Sequence, residues 1–436
     1  MPVDLSTQLS WRTTTGDAAD MLDELQPNIL KAHVRDHLQV LLLEFRDGAE
    51  ARAFLSSVAR LMKSARAQLE EVAAFKATKT PGTPYIGLGL TAGGYATLGI
   101  ATAPTDSAFL GGAKKAAPKL ADPPVQDWDE PYRQAIDAIL LIGDARPGPV
   151  WALRDRIDAL RPESVRVLGE ETGHGMTNEN GDGIEHFGYV DGRSQPLFLT
   201  EDHECATGEW DPAAPLSQVL VSDTAAPDPG VHFGSYFVFR KLEQNVRLFK
   251  ETEKRLDDSG QPGATLIGRF PDGTPLVSPD ANDFTYDNDK LGRKCPFHAH
   301  IRKTNPRGSG GAEPPERERL HLMARRGQTY GRRLDDPGTD LPPILRPTSG
   351  VGLLFMAFNS NLGNQFEFTQ RLWANDTGFP ITPDGSRPGR DPLIGQCTAP
   401  EWGRNGVTAA DPVSRMVTLK GGEYFFMPSL AFLRAL

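Results

Sequence analysis

The chain has 436 residues, and its 47 Lys and Arg against 57 Asp and Glu give a formal charge of −10. That balance argues against nucleic-acid binding, which needs a basic face to neutralise phosphates. No run of 18 apolar residues reads as a transmembrane helix, and the start MPVDLSTQLSWRTTTGDAAD has neither signal-peptide nor twin-arginine character, so a cytoplasmic protein without membrane contact is expected.

In chain order, HLQVLLLEF (37–45) reads as a buried strand. The stretch 50–77 reads as one long amphipathic helix with Phe54, Val58, Leu61 and Ala65 on its apolar stripe. YIGLGL (85–90) and AIDAILLIGD (135–144) are strands, 149–160 is a helix with Pro149 in its first turn, and 164–171 is a strand. The second half restarts alike: GSYFVFRKLEQNVRLFKETEK (234–254) passes from strand to helix at Phe-Arg, as does 40–60. Strands are expected at 298–303, 321–325 and 352–358, and a helix at 364–375. This weak repeat points to an α+β chain of two ferredoxin-like lobes, 1–215 and 216–436, each an antiparallel sheet with helices on one face. With 44 Gly and 36 Pro, long loops are expected, notably an exposed one at 304–319 and another at 375–406, too long to be a plain connection. Cys205, Cys295 and Cys397 have no CxxC spacing and read as reduced thiols.

No nucleophile elbow, Walker loop or HExxH helix occurs. IGLGLTAGG (86–94) imitates a dinucleotide fingerprint, but Ala92 stands at the third glycine position, and a tight strand exit is the better account. His298 and His300 are two apart; on a strand they would share a face, as metal ligands can. Asp191 of GYVDGRSQP (188–196) is either a turn former or a carboxylate held over a pocket by a rigid loop. Arg325, Arg326, Arg332 and Arg333 cluster around two glycines, as a solvated turn or as guanidinium forks for anions.

Taken together, GYVDGRSQP, KCPFHAHIRKTNPR and ARRGQTYG resemble the dye-decolourising peroxidases, a haem family, and in particular its longer intracellular bacterial members. LQPNILKAH (25–33), GSYFVFRKLEQNV (234–246), 352–375 and GGEYFFMPS (421–429) extend the likeness over nearly the whole chain. The resemblance implies one haem b per chain, with its pocket in the C-terminal lobe. It also implies that hydrogen peroxide is reduced and that small organic donors such as dyes and phenolics are oxidised in one-electron steps through an oxo-ferryl porphyrin radical. A homo-oligomer is compatible with it. Residue by residue, Asp191 takes the place of the distal aspartate and Arg325 that of the distal arginine, in preference to Arg326. The histidine before Ile-Arg-Lys is the iron ligand, which selects His300, although strand periodicity does not separate it from His298, where the family has a small residue. Arg307 resembles a propionate partner, and Leu353 and Phe355 resemble apolar residues of the distal pocket. Glu367 is the candidate carboxylate behind the ligand histidine. Tyr330 and Trp373 lie near the motifs as candidate electron relays, though core packing suits Trp373 better.

Asp191 would shuttle the peroxide proton and Arg325 would stabilise the charge on the leaving oxygen. A carboxylate remains a base where a histidine is already protonated, so an acidic activity optimum is expected. Two other classes share these residues: a haem-handling protein with weak turnover, and a non-haem metalloenzyme using His298 and His300.

Overall fold

Two continuous apolar strands start the core. β1 (His37–Phe45) and β3 (Ala138–Asp144) pair antiparallel, and every residue of β3 is buried. β2 (Tyr85–Leu90) joins the other side of β3, and β4 (Val165–His174) the other side of β1. The order is therefore β2-β3-β1-β4. The computed structural model describes residues 3–204, 206, 208–255, 263–278, 282–333, 337, 342–396 and 415–436.

The second half repeats this order. After the two-residue β5 (Val221–Ser222) come β6 (Phe233–Gln244), β7 (Ala324–Arg325), β8 (Gln328–Tyr330), β9 (Gly352–Asn359) and β10 (Val417–Met427). β6 pairs with β10 on one side and β9 on the other, and β9 pairs with β7 and β8, giving β10-β6-β9-β8. Both quartets thus have the ferredoxin-like 4-1-3-2 order. Phe426 of β10 meets Leu90 of β2 and Gly173 of β4 meets Tyr330 of β8, so the pairings run round and close on β6. Closure leaves the two quartets few open edges, and one apolar core cluster runs through both.

Several local expectations need correction. The helix expected over 50–77 is two helices, Gly48–Ala59 and Ala65–Thr78. Asp47 caps the first through Ala49 N and Glu50 N, and Ser64 starts the second by accepting from Ala67 N, which resets the chain direction. β6 does not end at Phe239-Arg240; Lys241–Gln244 continue it before the helix Val246–Arg255. Of 321–325 only Ala324–Arg325 is strand. Residues 304–319 are no plain exposed loop, because buried Glu318 accepts from Gly308 N and Gly310 N and pins them.

The largest revision concerns the histidines. Residues His300–Thr304 form a short helix, not a strand. Ala299 N donates to Pro296 O, and Thr304 Oγ1 bonds back to His300 O, so the segment closes its hydrogen bonds locally. The shared face expected of His298 and His300 therefore does not exist. Cys295 is a buried free thiol, and Cys205 and Cys397 lie outside the described residues.

Candidate haem site

A cavity of about 520 Å³ opens between the first-lobe loops and the C-terminal sheet, and His300, Asp191, Arg325 and Arg307 all line it. His298 is buried and does not. Alternation along β9 supplies one wall: Leu353 and Phe355 face the cavity, while Leu354 and Met356 face the core. The lining draws on both halves of the chain, with most of it from the second.

His300 Nδ1 lies 2.8 Å from Asp391 Oδ2. Asp391 is fully buried, and its other oxygen accepts from Leu393 N at 2.8 Å and Ile394 N at 3.0 Å. Burial alone would raise its pKa, but the facing His300 and these N–H donors win and hold it below the usual carboxylate range. With Nδ1 engaged, Nε2 is the nitrogen of His300 that remains available as a ligand. Glu367, expected in the role of Asp391, is turned elsewhere: it pairs with Lys119 Nζ at 2.6 Å and accepts from Tyr424 Oη at 3.2 Å. The sequence hint missed was the long 375–406 segment itself, whose described part supplies Asp391.

The two adjacent arginines both border the cavity but are held differently. Arg326 is buried, its guanidinium donating to the carbonyls of Asn28, Ile29 and Arg325, and burial pushes its pKa down to about 9. Arg325 instead accompanies the 188–196 loop: its backbone N donates to Gln195 Oε1, and its guanidinium to Arg193 O at 2.7 Å. Arg332 is exposed, and Arg333 donates to His186 O. In GYVDG, Gly188 (φ +94°) and Gly192 (φ +77°) take backbone conformations that L side chains rarely adopt. They bend the loop so that exposed Asp191 lines the cavity, with its N–H fixed to Gly183 O at 3.0 Å.

Two buried cations mark another edge. Arg307 lies over the Phe284 ring at 4.0 Å and donates to Asn282 O, Phe284 O and Ser194 Oγ. Arg269, which sequence reasoning missed, donates to Gly273 O and the same Ser194 Oγ. Burial brings both pKa values down to about 10, helped for Arg269 by the neighbouring Arg307. Neither guanidinium makes an ion pair among the described residues; neutral acceptors are their only hydrogen-bond partners. Asp283 lies near enough to feel both charges but pairs with neither; two buried cations with no paired anion suit an anionic ligand, which is what haem propionates would supply. A cavity with an imidazole at one place and paired guanidiniums at another fits haem.

The other metal reading loses its basis. Among the described residues no group of three or more His, Cys, Asp or Glu side chains could hold a metal ion. Tyr330 and Trp373 are both buried, so neither offers a donor a surface contact. Trp373 is core, stacked on Phe379 at 5.3 Å. Among the described residues no helix is long and apolar enough to cross a membrane.

A double ferredoxin-like barrel with this cavity defines the dye-decolourising type of haem peroxidase, and the chain belongs to that family. It is 66% identical to the multifunctional dye peroxidase DyP2 of Amycolatopsis sp., over all of both chains. The solved structure of that DyP2 matches with a TM-score of 0.96, again over all of both chains. The DyP-type peroxidase of Anabaena sp. matches at 34% identity and a TM-score of 0.88, covering 99% of this chain and 98% of its own. Peroxidase 2 of Mycetinis scorodonius is 27% identical over 98% of this chain and 90% of its own. No family model matches the chain.

Proposed function

We propose that His300 holds the iron of one haem b per chain and that Asp191 and Arg325 act on hydrogen peroxide, in a protein that its family makes a haem-dependent peroxidase of organic donors. The observation that carries this reading is His300 on the cavity wall with Nδ1 tied to buried Asp391. When bound, the haem supplies the reduction of peroxide and the one-electron oxidation of donors such as dyes and phenolics.

The chain's own residues do the rest. The Asp391 carboxylate fixes the tautomer and orientation of His300 and makes the imidazole more basic, which favours oxidised iron. Arg307 and Arg269 would hold the haem propionates. Leu353 and Phe355 keep one wall apolar and limit water. A carboxylate oxygen of Asp191 takes a proton from peroxide and returns one to the departing oxygen. The Arg325 guanidinium stabilises the charge that develops there. A haem-handling protein would have no task for Asp191 and Arg325 together. The same proposal divides the chain near 215/216 into its two lobes, leaves room for a homo-oligomer and places the enzyme in the cytoplasm.

The test is an absorption spectrum of protein from haem-supplied cells, before and after stoichiometric peroxide, for the natural chain and His300→Ala. A Soret band that shifts on peroxide and is lost or altered in the variant is expected. A band unmoved by peroxide would leave haem handling, and no band despite ample haem would remove the reading.

A further inference from the structure

The short helix His300–Thr304 carries a fully buried ammonium, Lys303, one turn beyond the histidine. Helix residues three apart share a face, and here both side chains reach the same neighbouring segment, residues 375–391. His300 Nδ1 meets Asp391 at its end. Lys303 Nζ donates to Asp376 O and Gly389 O, each at 2.7 Å, and to Phe379 O. An ammonium has three N–H groups, so one nitrogen gathers a carbonyl from the start, the middle and the end of the segment.

Much of the segment's other bonding is internal. Gly389 N–H donates to Thr377 O at 3.0 Å, Asp391 N–H to Ala374 O at 2.8 Å, and Leu393 N and Ile394 N donate to the Asp391 carboxylate. Ile381 N donates to Gly310 O and Asn375 Nδ2 to Leu120 O, which tie it to other parts of the chain. These bonds shape the segment without setting its distance from the His300 helix. The Lys303 clamp does set it, and its Gly389 contact lies two residues before Asp391. A buried ammonium carries a large desolvation cost, and an apolar side chain of similar volume would fill the space at lower cost. The charge therefore points to a task of position rather than of packing.

We propose that Lys303 is a positioning residue: by drawing three carbonyls of the 376–389 segment onto the His300 helix, it holds Asp391 in register with His300 Nδ1 and so sets the basicity of that imidazole. The proposal rests on the reading of His300 as the haem ligand. Its mechanism is geometric. The 2.8 Å contact between His300 and Asp391 weakens steeply once it lengthens or bends. Without the clamp, three buried carbonyls lose their donor and turn toward water or other partners, and the carboxylate moves with them.

The experiment is resonance Raman spectroscopy of the haem-loaded ferrous enzyme, reading the iron–histidine stretching band for the natural chain, Lys303→Met, Asp391→Asn and the double variant. A less basic imidazole gives a weaker bond, so Asp391→Asn is expected to lower the band and Lys303→Met to lower it part of the way. In the Asp391→Asn background Lys303→Met should lower it no further, because no carboxylate is left to misplace. The rate of the Soret change with peroxide should follow the same order, Lys303→Met losing less than the about 10–100-fold expected of Asp391→Asn. An unmoved band in Lys303→Met, or an equal shift in both backgrounds, overturns the proposal and leaves a lysine that only supports the fold. A band that does not answer to Asp391→Asn removes the His300–Asp391 reading, and the proposal with it. Should Lys303→Met fail to fold, Lys303→Arg decides. It keeps the charge, but its flat fork does not converge on three carbonyls around one atom. A smaller lowering is expected in the natural background and none in Asp391→Asn, and an unmoved band or equal shifts overturn the proposal there too.

Discussion

The carboxylate behind His300 and the carboxylate on the GYVDG loop are held in opposite ways. Asp391 is sealed from water, accepts from an imidazole and two backbone N–H groups, and has no freedom to turn. Asp191 is exposed on a glycine-bent loop whose backbone, rather than its side chain, is fixed. A buried, fully engaged carboxylate can act only as a fixed charge that orients its partner. An accessible one can take up a proton and give it back. The cavity therefore has a sealed side and an accessible side, and only the accessible side is suited to acid–base work.

Breaking the sealed side at its centre should have the largest effect. His300→Ala is expected to abolish both normal haem ligation and peroxidase turnover, read together from the Soret band and from steady-state rates. Next come the groups of the accessible side. Asp191→Asn should slow the peroxide reaction by about 10²–10⁴-fold and Arg325→Leu by about 10²–10³-fold, with the haem spectrum retained. Loss of the Soret band in either would mean that the division between the two sides is drawn wrongly. Asp391→Asn keeps the shape but removes the fixed charge, and a smaller loss of about 10–100-fold in peroxide reactivity or haem affinity is expected. Glu367→Gln sharpens the comparison from outside the site. Its partners are a half-exposed lysine and Tyr424, so stopped-flow peroxide rates should change by less than about twofold, with at most about 1 kcal/mol lost in denaturant unfolding. Across the series, a pH–rate profile of the holoenzyme that peaks above neutrality would contradict the use of a carboxylate as base.

Local pattern carried the reading a long way where one element buries one kind of residue. The strands 37–45, 85–90 and 352–358 were legible because continuous apolar runs have no other stable place than a sheet interior. Asp191 was legible as a turn residue because Gly192 follows it, and as a pocket carboxylate only through the resemblance of GYVDGRSQP to the family. Periodicity failed at 298–303, where a segment with alternating histidines closed its hydrogen bonds as a helical turn instead. It failed also at Glu367, since an acidic residue near a motif carries no information about which way its side chain points. Asp391 and Arg269 stood in no motif at all, and their importance arises from partners 91 residues away for Asp391 and 75 for Arg269.

The sequence by itself determined the alternation of strands and helices, the repeat that makes two ferredoxin-like units, and the chemical types gathered in three motifs, because propensity, apolar patterning and turn chemistry act over a few residues. The family resemblance selects His300 and Arg325, but only the tertiary structure decided which carboxylate stands behind that histidine and how the two adjacent arginines are held, Arg326 buried on three carbonyls and Arg325 beside the 188–196 loop. Those choices depend on burial and on charge neighbours brought together by the closure of the barrel, and no window along the chain contains them.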